Sequence, residues 1–212
     1  MHPRILMLLV AIAAGAPSLA WSQEGHLYLG GGVGQGHTNP ASLTTVISGV
    51  NVTAQSGTTR DNSYKLYGGY QFDVNWGLEV GYNNLGNGYT FNSAVGGAPG
   101  SASYKVDNWY VAGTGTLPLG ASGFAFLAKL GLVRNGVSGG TFCSAGTCAS
   151  LRSSNRTQSI FGLGAQYAFT KNVSARFEYE DYGTVSGNDI WATGSSGSIK
   201  ANNWTLSLKY DF

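Results

Sequence analysis

Five polar residues lie at spacings that could support joint chemistry. Glu79, Lys129, Gln166, Arg176 and Glu178 each belong to a segment in which apolar and polar residues alternate, and each falls on the polar side of that alternation. Carboxylates and basic groups that are enclosed together can pair with one another, or they can line a path for ions. Pairing would close such a path and separation would open it, so both functions stay open at this point.

Three of these residues are predicted to lie at a similar depth. Glu79, Gln166 and Arg176 are each four residues from a short polar connection between two alternating segments. At about 3.4 Å per residue, each lies within about 14 Å of those connections. Leaving one buried charge alone costs about 3–5 kcal/mol, so we expect opposite charges at this depth to pair.

Eight alternating segments supply the elements that position these residues. No stretch after Gln23 shows a sustained helical period, whereas a period of two is typical of β-strands. The clearest case is the C-terminus, where Trp204, Leu206, Leu208, Tyr210 and Phe212 alternate with polar residues. In segment 104–117 either set could face outward. The other seven segments are 27–33, 64–72, 76–83, 124–132, 161–169, 173–180 and 204–212.

The connections between these segments alternate in length. Short turns at one end and long loops at the other are typical of a bacterial outer-membrane barrel. We therefore predict an all-β fold for residues 21–212, an eight-stranded antiparallel up-and-down transmembrane β-barrel with short periplasmic turns and long extracellular loops. The short connections are 73–75, 118–122 and 170–172, and the long ones are 37–62, 85–103, 135–156 and 183–199.

Composition agrees with this class and excludes others. Only 10% of the 212 residues are charged and 33 are glycine, whereas soluble domains carry about 25% charged residues. The longest apolar run, 5–16, is shorter than the roughly 20 residues of a membrane-spanning helix. A net charge of +2 gives no indication of nucleic-acid binding.

The N-terminus is predicted to be a signal peptide. Arg4 supplies the positive region, residues 5–16 the apolar region, and Ser18 and Ala20 a small-residue cleavage site. The predicted signal peptide is 1–20, with cleavage after 22 as the alternative. We therefore expect export through the periplasm to the outer membrane of a Gram-negative bacterium.

The apolar face of each strand is predicted to contact lipid. An eight-stranded barrel has an interior just wide enough for side chains, which suits the mixture of glycines and charges on the other face. Aromatic residues near the strand ends are expected to form two girdles at the membrane interfaces. These aromatic residues are Phe72, Trp76, Tyr82, Trp109, Phe169, Trp204 and Tyr210.

Cys143 and Cys148 lie in the third long loop. In an oxidising compartment we expect a disulfide between them. Two thiols without a histidine make half a zinc site, so no metal site is predicted. Closing so short a loop contributes about 2 kcal/mol, so the bond would shape the loop rather than hold the barrel together.

Catalysis is not predicted. A serine nucleophile needs a histidine base, and the exported chain has only His26 and His37. No serine adjoins His37, although Ser42 or Ser63 could approach it in space. The glycine-rich segment 30–36 lacks the residues of a phosphate-binding loop and is interpreted as a strand that large side chains approach closely. No cofactor is expected.

Four segments resemble the transmembrane domain of the outer-membrane protein A (OmpA) family, and related opacity-protein and Ail/OmpX-like barrels use similar patterns. The segments are 77–86, 159–170, 175–179 and 206–212. The resemblance implies a barrel that stabilises the outer membrane, offers a receptor or adhesin surface, and in some cases leaks small ions.

The resemblance also implies roles for individual residues. An internal Glu–Arg pair blocks the lumen in that family, and Glu79 and Arg176 match it. A second, switching pair would fall on Thr114 and Gln166, which are neutral here, so a switching gate is not expected.

The C-terminus carries a further implication. Leu206, Leu208, Tyr210 and Phe212 are similar to the C-terminal signal that the barrel-assembly machinery reads. Because the sequence ends at Phe212, no periplasmic peptidoglycan-binding domain is expected, and the tethering role of the full-length family is not carried over.

Together these features predict an outer-membrane barrel with a structural or surface role. It would contact outer-membrane lipid and lipopolysaccharide, and its loops could bind an extracellular ligand or a host surface. The alternative is a narrow channel lined by Lys65, Glu79, Lys129, Arg176 and Glu178. The third hypothesis is a lipid-A-modifying enzyme.

Overall fold

The computed structural model describes eleven strands and no helix within residues 25–47, 50–53, 59–95, 98–139, 141–144, 147–150, 153–186 and 196–212. None of these ranges forms a helix long and apolar enough to cross a membrane. The predicted signal peptide lies outside the described residues. The strands are β1 (His26–Ile47), β2 (Val50–Thr53), β3 (Arg60–Gln71), β4 (Trp76–Val95), β5 (Ala98–Pro118), β6 (Phe124–Gly139), β7 (Thr141–Ser144), β8 (Thr147–Ser150), β9 (Ser154–Ala168), β10 (Val173–Ser186) and β11 (Ser196–Asp211).

Eight of these strands close into an antiparallel barrel. Their order is β4-β3-β1-β11-β10-β9-β6-β5, and pairing of β5 with β4 completes the circle. The first and last strands meet along a long seam that starts where Tyr28 lies opposite Asp211. The predicted eight-stranded up-and-down barrel is therefore confirmed. Where the sheet closes, each of the eight strands has a paired neighbour on both sides, so this part of the barrel has no open edge.

The predicted long loops differ from what the structure shows. Strand β1 continues to Ile47 and pairs there with β2, and β4 and β5 pair as far as Val95 and Ala98. In the third connection, β7 pairs with both β5 and β8. Loop-like composition, rich in Gly, Ser, Thr and Asn, did not reveal these strands because each gains its backbone partners from the neighbouring strand rather than from its own propensity.

The short connections lie where the sequence predicts them, after β3, β5 and β9. In the first, a carboxylate oxygen of Asp73 accepts hydrogen bonds from the backbone N–H groups of Asn75 (2.7 Å) and Trp76 (2.8 Å). In the second, Gly120 and Gly123 have φ of +62° and +79°, which glycine adopts without strain. The end of the barrel that carries these turns is called the turn end, and the opposite end is called the hairpin end.

Apolar side chains cover the outside of the barrel and polar ones fill much of the inside. Leu206 and Leu208 are 59% and 60% exposed, whereas Ser207 between them is 2% exposed. In segment 104–117 the sequence left undecided which set of alternating residues faces outward. The structure shows that it is the set that contains Trp109 and Val111. This distribution is the reverse of a soluble barrel and matches an exterior in lipid.

Large tyrosines fit inside the barrel because each lies opposite a glycine of the next strand. A Cβ atom added at Gly81 would lie 2.5 Å from the ring of Tyr110, so a side chain there would collide with the tyrosine. Gly30, in the glycine-rich segment of β1, is covered by Tyr67, which confirms the expected close approach of a large side chain. The pairs are Tyr28 with Gly69, Tyr67 with Gly30, and Tyr110 with Gly81.

Candidate functional site: charges enclosed in the lumen

Six charged side chains meet in the middle of the barrel and form what we call the charge cluster. Their side chains are between 0 and 2% exposed. Alternation along each strand turns them inward, and antiparallel pairing brings the strands to matching depths. The members are Lys65 on β3, Glu79 on β4, Lys129 on β6, and Arg176, Glu178 and Glu180 on β10.

Lys129 stands at the centre of the cluster. Its Nζ atom lies 2.6 Å from Glu79 Oε1, 3.0 Å from Glu178 Oε1 and 2.7 Å from Glu180 Oε1. Lys65 Nζ contacts Glu178 Oε2 and Glu180 Oε1, both at 2.8 Å. Each of the two lysines therefore links several carboxylates, so no ion pair in this group is isolated.

Arg176 joins the cluster from the side of the turn end. Its Nη1 atom lies 2.9 Å from Glu79 Oε2, and its Nε–H donates to Gln166 Oε1 at 2.7 Å. Tyr110 and Tyr28 donate to the two oxygens of Glu79 at 2.7 and 3.1 Å. Glu79 thus receives contacts from two cations and two hydroxyl groups.

Tyrosine rings enclose the cations and complete the cluster. Lys65 Nζ lies 4.9 Å from the centroid of the Tyr67 ring, and Arg176 Cζ lies 5.2 Å from that of Tyr28. Cations over aromatic faces at such distances are attracted by the ring quadrupole. Tyr182 donates to Glu180 Oε2 at 2.8 Å, so a hydroxyl group also supports the outermost carboxylate.

The charges of the cluster cancel. Three bases face three acids, and every carboxylate contacts at least two donors. A buried charge is tolerated when it is paired and hydrogen-bonded, and removing one partner is strongly unfavourable. The arrangement can therefore hold the lumen closed, and it offers no unpaired charge for acid–base chemistry.

The structure brings all five predicted lumen residues together. Glu79, Lys129, Gln166, Arg176 and Glu178 meet as described, and Lys65, predicted to line a channel, joins them. Sequence reasoning missed Glu180 as a site residue. The signal was present, because Glu180 has the same parity as Arg176 and Glu178, but its position beyond them gave no indication that two lysines reach it. Thr114, one of the two neutral positions at which the resemblance would place a switching pair, is buried in the lumen.

A second, smaller ionic group lies at the turn end of the lumen. Asp211 Oδ1 lies 2.9 Å from His26 Nε2 and 2.6 Å from Lys209 Nζ. The side chains of His26 and Asp211 are 17% and 15% exposed, so water reaches this group. We call it the end triad. It bridges β1 and β11 where the barrel seam begins.

The predicted interface aromatics lie on the outside of the barrel in two bands. Near the turn end, Phe124 and Phe169 pack on Tyr167, with ring centroids 4.6 and 5.2 Å apart. Toward the hairpin end, Tyr82 packs on Trp109 at 4.9 Å. Phe72, Trp76 and Tyr210 belong to the first band by position, and Trp204 belongs to the second.

The proposed assembly-signal residues also face outward. Leu206, Leu208, Tyr210 and Phe212 are all exposed along one face of β11 and its end. Their alternation with buried Ser207 and Lys209 leaves an apolar ridge on the outside of the seam strand.

The two cysteines lie opposite one another across the β7–β8 hairpin. Directly opposite residues in antiparallel strands have Cα atoms about 4.5–5.5 Å apart, which is within the range that a disulfide spans. The disulfide stays a prediction that this backbone register permits.

The structure does not bring His37 and Ser63 together as a catalytic pair. His37 lies on the outer face of β1 opposite Arg60. Ser63 points into the lumen, where its hydroxyl donates to Asn203 Oδ1 at 2.7 Å. The two side chains therefore lie on opposite faces of the barrel wall. The side chain of Ser42 lies outside the described residues.

Comparisons with known proteins agree on the type of barrel. The family model of the outer membrane protein β-barrel domain matches residues 6–212. No curated protein sequence matches the chain.

Solved structures give the same fold. The attachment invasion locus protein Ail of Yersinia pestis, solved with the heparin analogue sucrose octasulfate, is 18% identical with a TM-score of 0.51, over 90% of this chain and 100% of Ail. Neisserial surface protein A is 12% identical with a TM-score of 0.54, over 90% and 100%. OprG of Pseudomonas aeruginosa is 16% identical with a TM-score of 0.53, over 90% and 97%.

Proposed function

We propose, from the premise that the chain belongs to the outer membrane protein β-barrel domain family, that its barrel is closed to ions and acts through its surface. The barrel lies in the outer membrane of a Gram-negative bacterium. In this proposal the membrane-embedded part is an anchor that strengthens the envelope, and the hairpins beyond it supply adhesion or recognition.

The neutral charge cluster carries the first half of this proposal. An ion that passed the middle of the lumen would have to separate Lys129 from the three carboxylates that it contacts within 3.0 Å. Those groups are shielded from water, so a separated charge would lack compensation. The paired state is therefore favoured, and the lumen stays shut.

Single-channel recording in planar bilayers tests this closure. We expect the refolded wild-type protein to pass no steady current, and we expect brief openings in Arg176→Ala, which removes one of the two cations that contact Glu79. Lys171→Ala is the matched control because Lys171 is an exposed cation in a short turn. It should stay silent.

The second candidate function, a narrow ion channel, is supported by the charged side chains that line the lumen. A steady wild-type current whose ion selectivity changes in Glu79→Gln would establish it and would overturn the closed barrel. Lys65, Lys129 and Glu178 would then be the next positions to test.

The hairpins carry the second half of the proposal. The β6–β9 connection contains the β7–β8 hairpin, and exposed cations such as Arg60, Arg134 and Lys200 lie near the hairpin end on the outside. Since Ail was solved with a heparin analogue, sucrose octasulfate is a suitable first probe for a sulfated surface ligand.

Deleting one hairpin at a time tests surface recognition. We expect loss of probe or host-cell binding from at least one deletion, with the unfolding midpoint of the barrel unchanged. Binding that survives every deletion would contradict a recognition role for the hairpins.

We further propose that the chain has no catalytic role and that its last strand is its assembly signal. Lipid A from cells that express His37→Ala should match lipid A from cells that express the wild type. Phe212→Ala should slow insertion into the outer membrane, whereas Phe72→Ala, an exposed aromatic change outside β11, should have little effect.

A further inference from the structure

We infer that a groove on the outside of the barrel binds one acyl chain of a phospholipid from the membrane leaflet at the turn end. The groove, which we call the seam groove, has a volume of about 420 Å³ and lies where β1 pairs with β11. The outward-facing residues that line it include Leu29, Gly31, Leu66, Leu208, Tyr210 and Phe212.

Gly31 leaves this part of the barrel wall uncovered. It faces outward between Leu66 of β3 and Leu208 of β11. A Cβ atom added at Gly31 would meet its nearest neighbours at 3.6 and 3.8 Å, which is ordinary contact distance. The adjacent Gly30 differs, because a Cβ atom there would collide with the ring of Tyr67. Packing within the protein therefore requires a glycine at position 30 but not at position 31, and the space beside Gly31 is open to a molecule from outside.

The chemistry of the lining selects a hydrocarbon. Of the outward-facing side chains named above, only that of Tyr210 carries a polar atom. The exterior of the barrel is in lipid, so acyl chains are the hydrocarbon that surrounds the groove. A second copy of the chain fits less well, because a two-fold symmetric contact through this face would place one hollow against another.

The position of the groove selects the leaflet. From Leu208 to Phe212 it follows four residues of the chain, or about 14 Å, and one leaflet is about half of the roughly 30 Å hydrocarbon core. The backbone N–H of Phe212 donates to the carbonyl oxygen of Leu27 at 3.0 Å, which places the lower end of the groove at the turn end. Short turns of such barrels lie on the periplasmic side. The groove therefore fits a chain that enters from the periplasmic leaflet.

Tyr210 supplies a polar contact at the mouth of the groove. Its ring packs edge-on against that of Phe212, with centroids 5.1 Å apart. A tyrosine at a membrane interface places its hydroxyl among the lipid headgroups, where it can donate to an ester or phosphate oxygen. The groove thus offers an apolar floor for the acyl chain and a hydrogen-bond donor for the headgroup region.

This site goes beyond the proposed function and does not depend on it, since the groove lies outside the lumen and away from the hairpin end. Native mass spectrometry of the folded protein tests it, after transfer from vesicles of phosphatidylethanolamine and phosphatidylglycerol into a mild detergent. We expect one phospholipid to stay bound to each wild-type barrel. Gly31→Leu places a side chain in the groove and should lose this phospholipid.

Gly113→Leu is the matched control. Gly113 also faces outward, and it lies five residues from the turn-end terminus of its strand, as Gly31 does. A Cβ atom at Gly113 would meet only one atom, at 3.8 Å, and Gly113 does not line the groove. This variant should keep the phospholipid.

A stability measurement provides the second arm. Because a ligand that binds only the folded state stabilises it, adding phospholipid to the detergent-solubilised protein should raise the urea midpoint of wild type and Gly113→Leu but not of Gly31→Leu. If leucine at position 31 prevents folding, Gly31→Ala narrows the groove and should reduce the bound fraction. Equal retention by wild type and the position-31 variants, or no retention by wild type, would overturn the inference. A dimer mass that Gly31→Leu abolishes would also overturn it and assign the groove to a second copy of the chain.

Discussion

The charge cluster and the end triad contain the same kinds of groups in different surroundings. In the cluster, Lys129 contacts three carboxylates, and its side chain is inaccessible to water. In the end triad, His26 and Lys209 share the single carboxylate of Asp211, which is 15% exposed. Distances in the two groups are similar, from 2.6 to 3.0 Å.

The difference shows that burial and connectivity, rather than distance, set the importance of an ion pair. A solvent-accessible pair contributes about 0–1 kcal/mol because water and salt screen it. Breaking a buried pair costs about 3–5 kcal/mol because the remaining charge is left without a partner and without access to water. The cluster should therefore control the stability and closure of the barrel, while the end triad adjusts the seam between β1 and β11.

The largest effect is expected from Lys129→Met. This change keeps most of the length of the side chain but removes the cation that three glutamates share, so the free energy of unfolding should fall by about 3–5 kcal/mol. Reversible urea unfolding in lipid vesicles, followed by tryptophan fluorescence, measures it. Lys171→Met controls for the loss of a lysine at an exposed position. If the two variants were equally stable, the claim that losing a buried charge costs more stability than losing an exposed one would be contradicted.

An intermediate effect is expected from Gly81→Val. This change tests whether Tyr110, which donates to Glu79 in the cluster, needs the space that a glycine at position 81 leaves. The new side chain would press on Tyr110, which is held by its hydrogen bond to Glu79. Overpacking of this kind costs about 1–3 kcal/mol. Gly113→Val is the matched control, because Gly113 faces outward and a Cβ there meets only one atom, at 3.8 Å. In the same unfolding assay, Gly81→Val should lose more stability than Gly113→Val.

The smallest effect is expected from His26→Ala. Because His26 and Asp211 are in contact with water, the loss should stay below about 1 kcal/mol. For the protonated imidazole, the contribution should shrink further as salt is raised from about 0.05 to 0.5 M, since screening acts on exposed ion pairs. The effect of Lys129→Met should keep its size over that range. If salt reduced the stability loss of Lys129→Met, or if His26→Ala lost more stability than about 1 kcal/mol, the contrast between the charge cluster and the end triad would be wrong.

The sequence predicts the barrel well because strand alternation is a local signal. The alternation of Leu206, Ser207 and Leu208 is enough to assign each side chain to the outside or the inside of the barrel. The short turns are predicted where this alternation is interrupted. The hairpin end was less predictable. The strands that continue beyond Val33 toward Ile47 have no clear alternation, and they form because a neighbouring strand supplies hydrogen-bond partners.

The charge cluster was predictable in membership but not in connectivity. Parity and depth place Glu79, Gln166 and Arg176 together, and the structure joins them. Which carboxylate each lysine reaches depends on the stagger of the closed barrel, a property of all eight strands together. That is why Glu180, two residues beyond Glu178, escaped notice although both lysines contact it.

The central claim is that pairing of opposite charges inside the lumen holds the barrel closed and stable. A double-mutant cycle of Lys129→Met and Glu180→Gln tests it most directly, because the double variant restores equal numbers of acids and bases. We predict that it unfolds at a higher urea concentration than Lys129→Met alone, with a coupling of about 0.5–3 kcal/mol. If the costs of the two substitutions simply add, charge balance in the cluster does not stabilise the barrel, and the account is wrong.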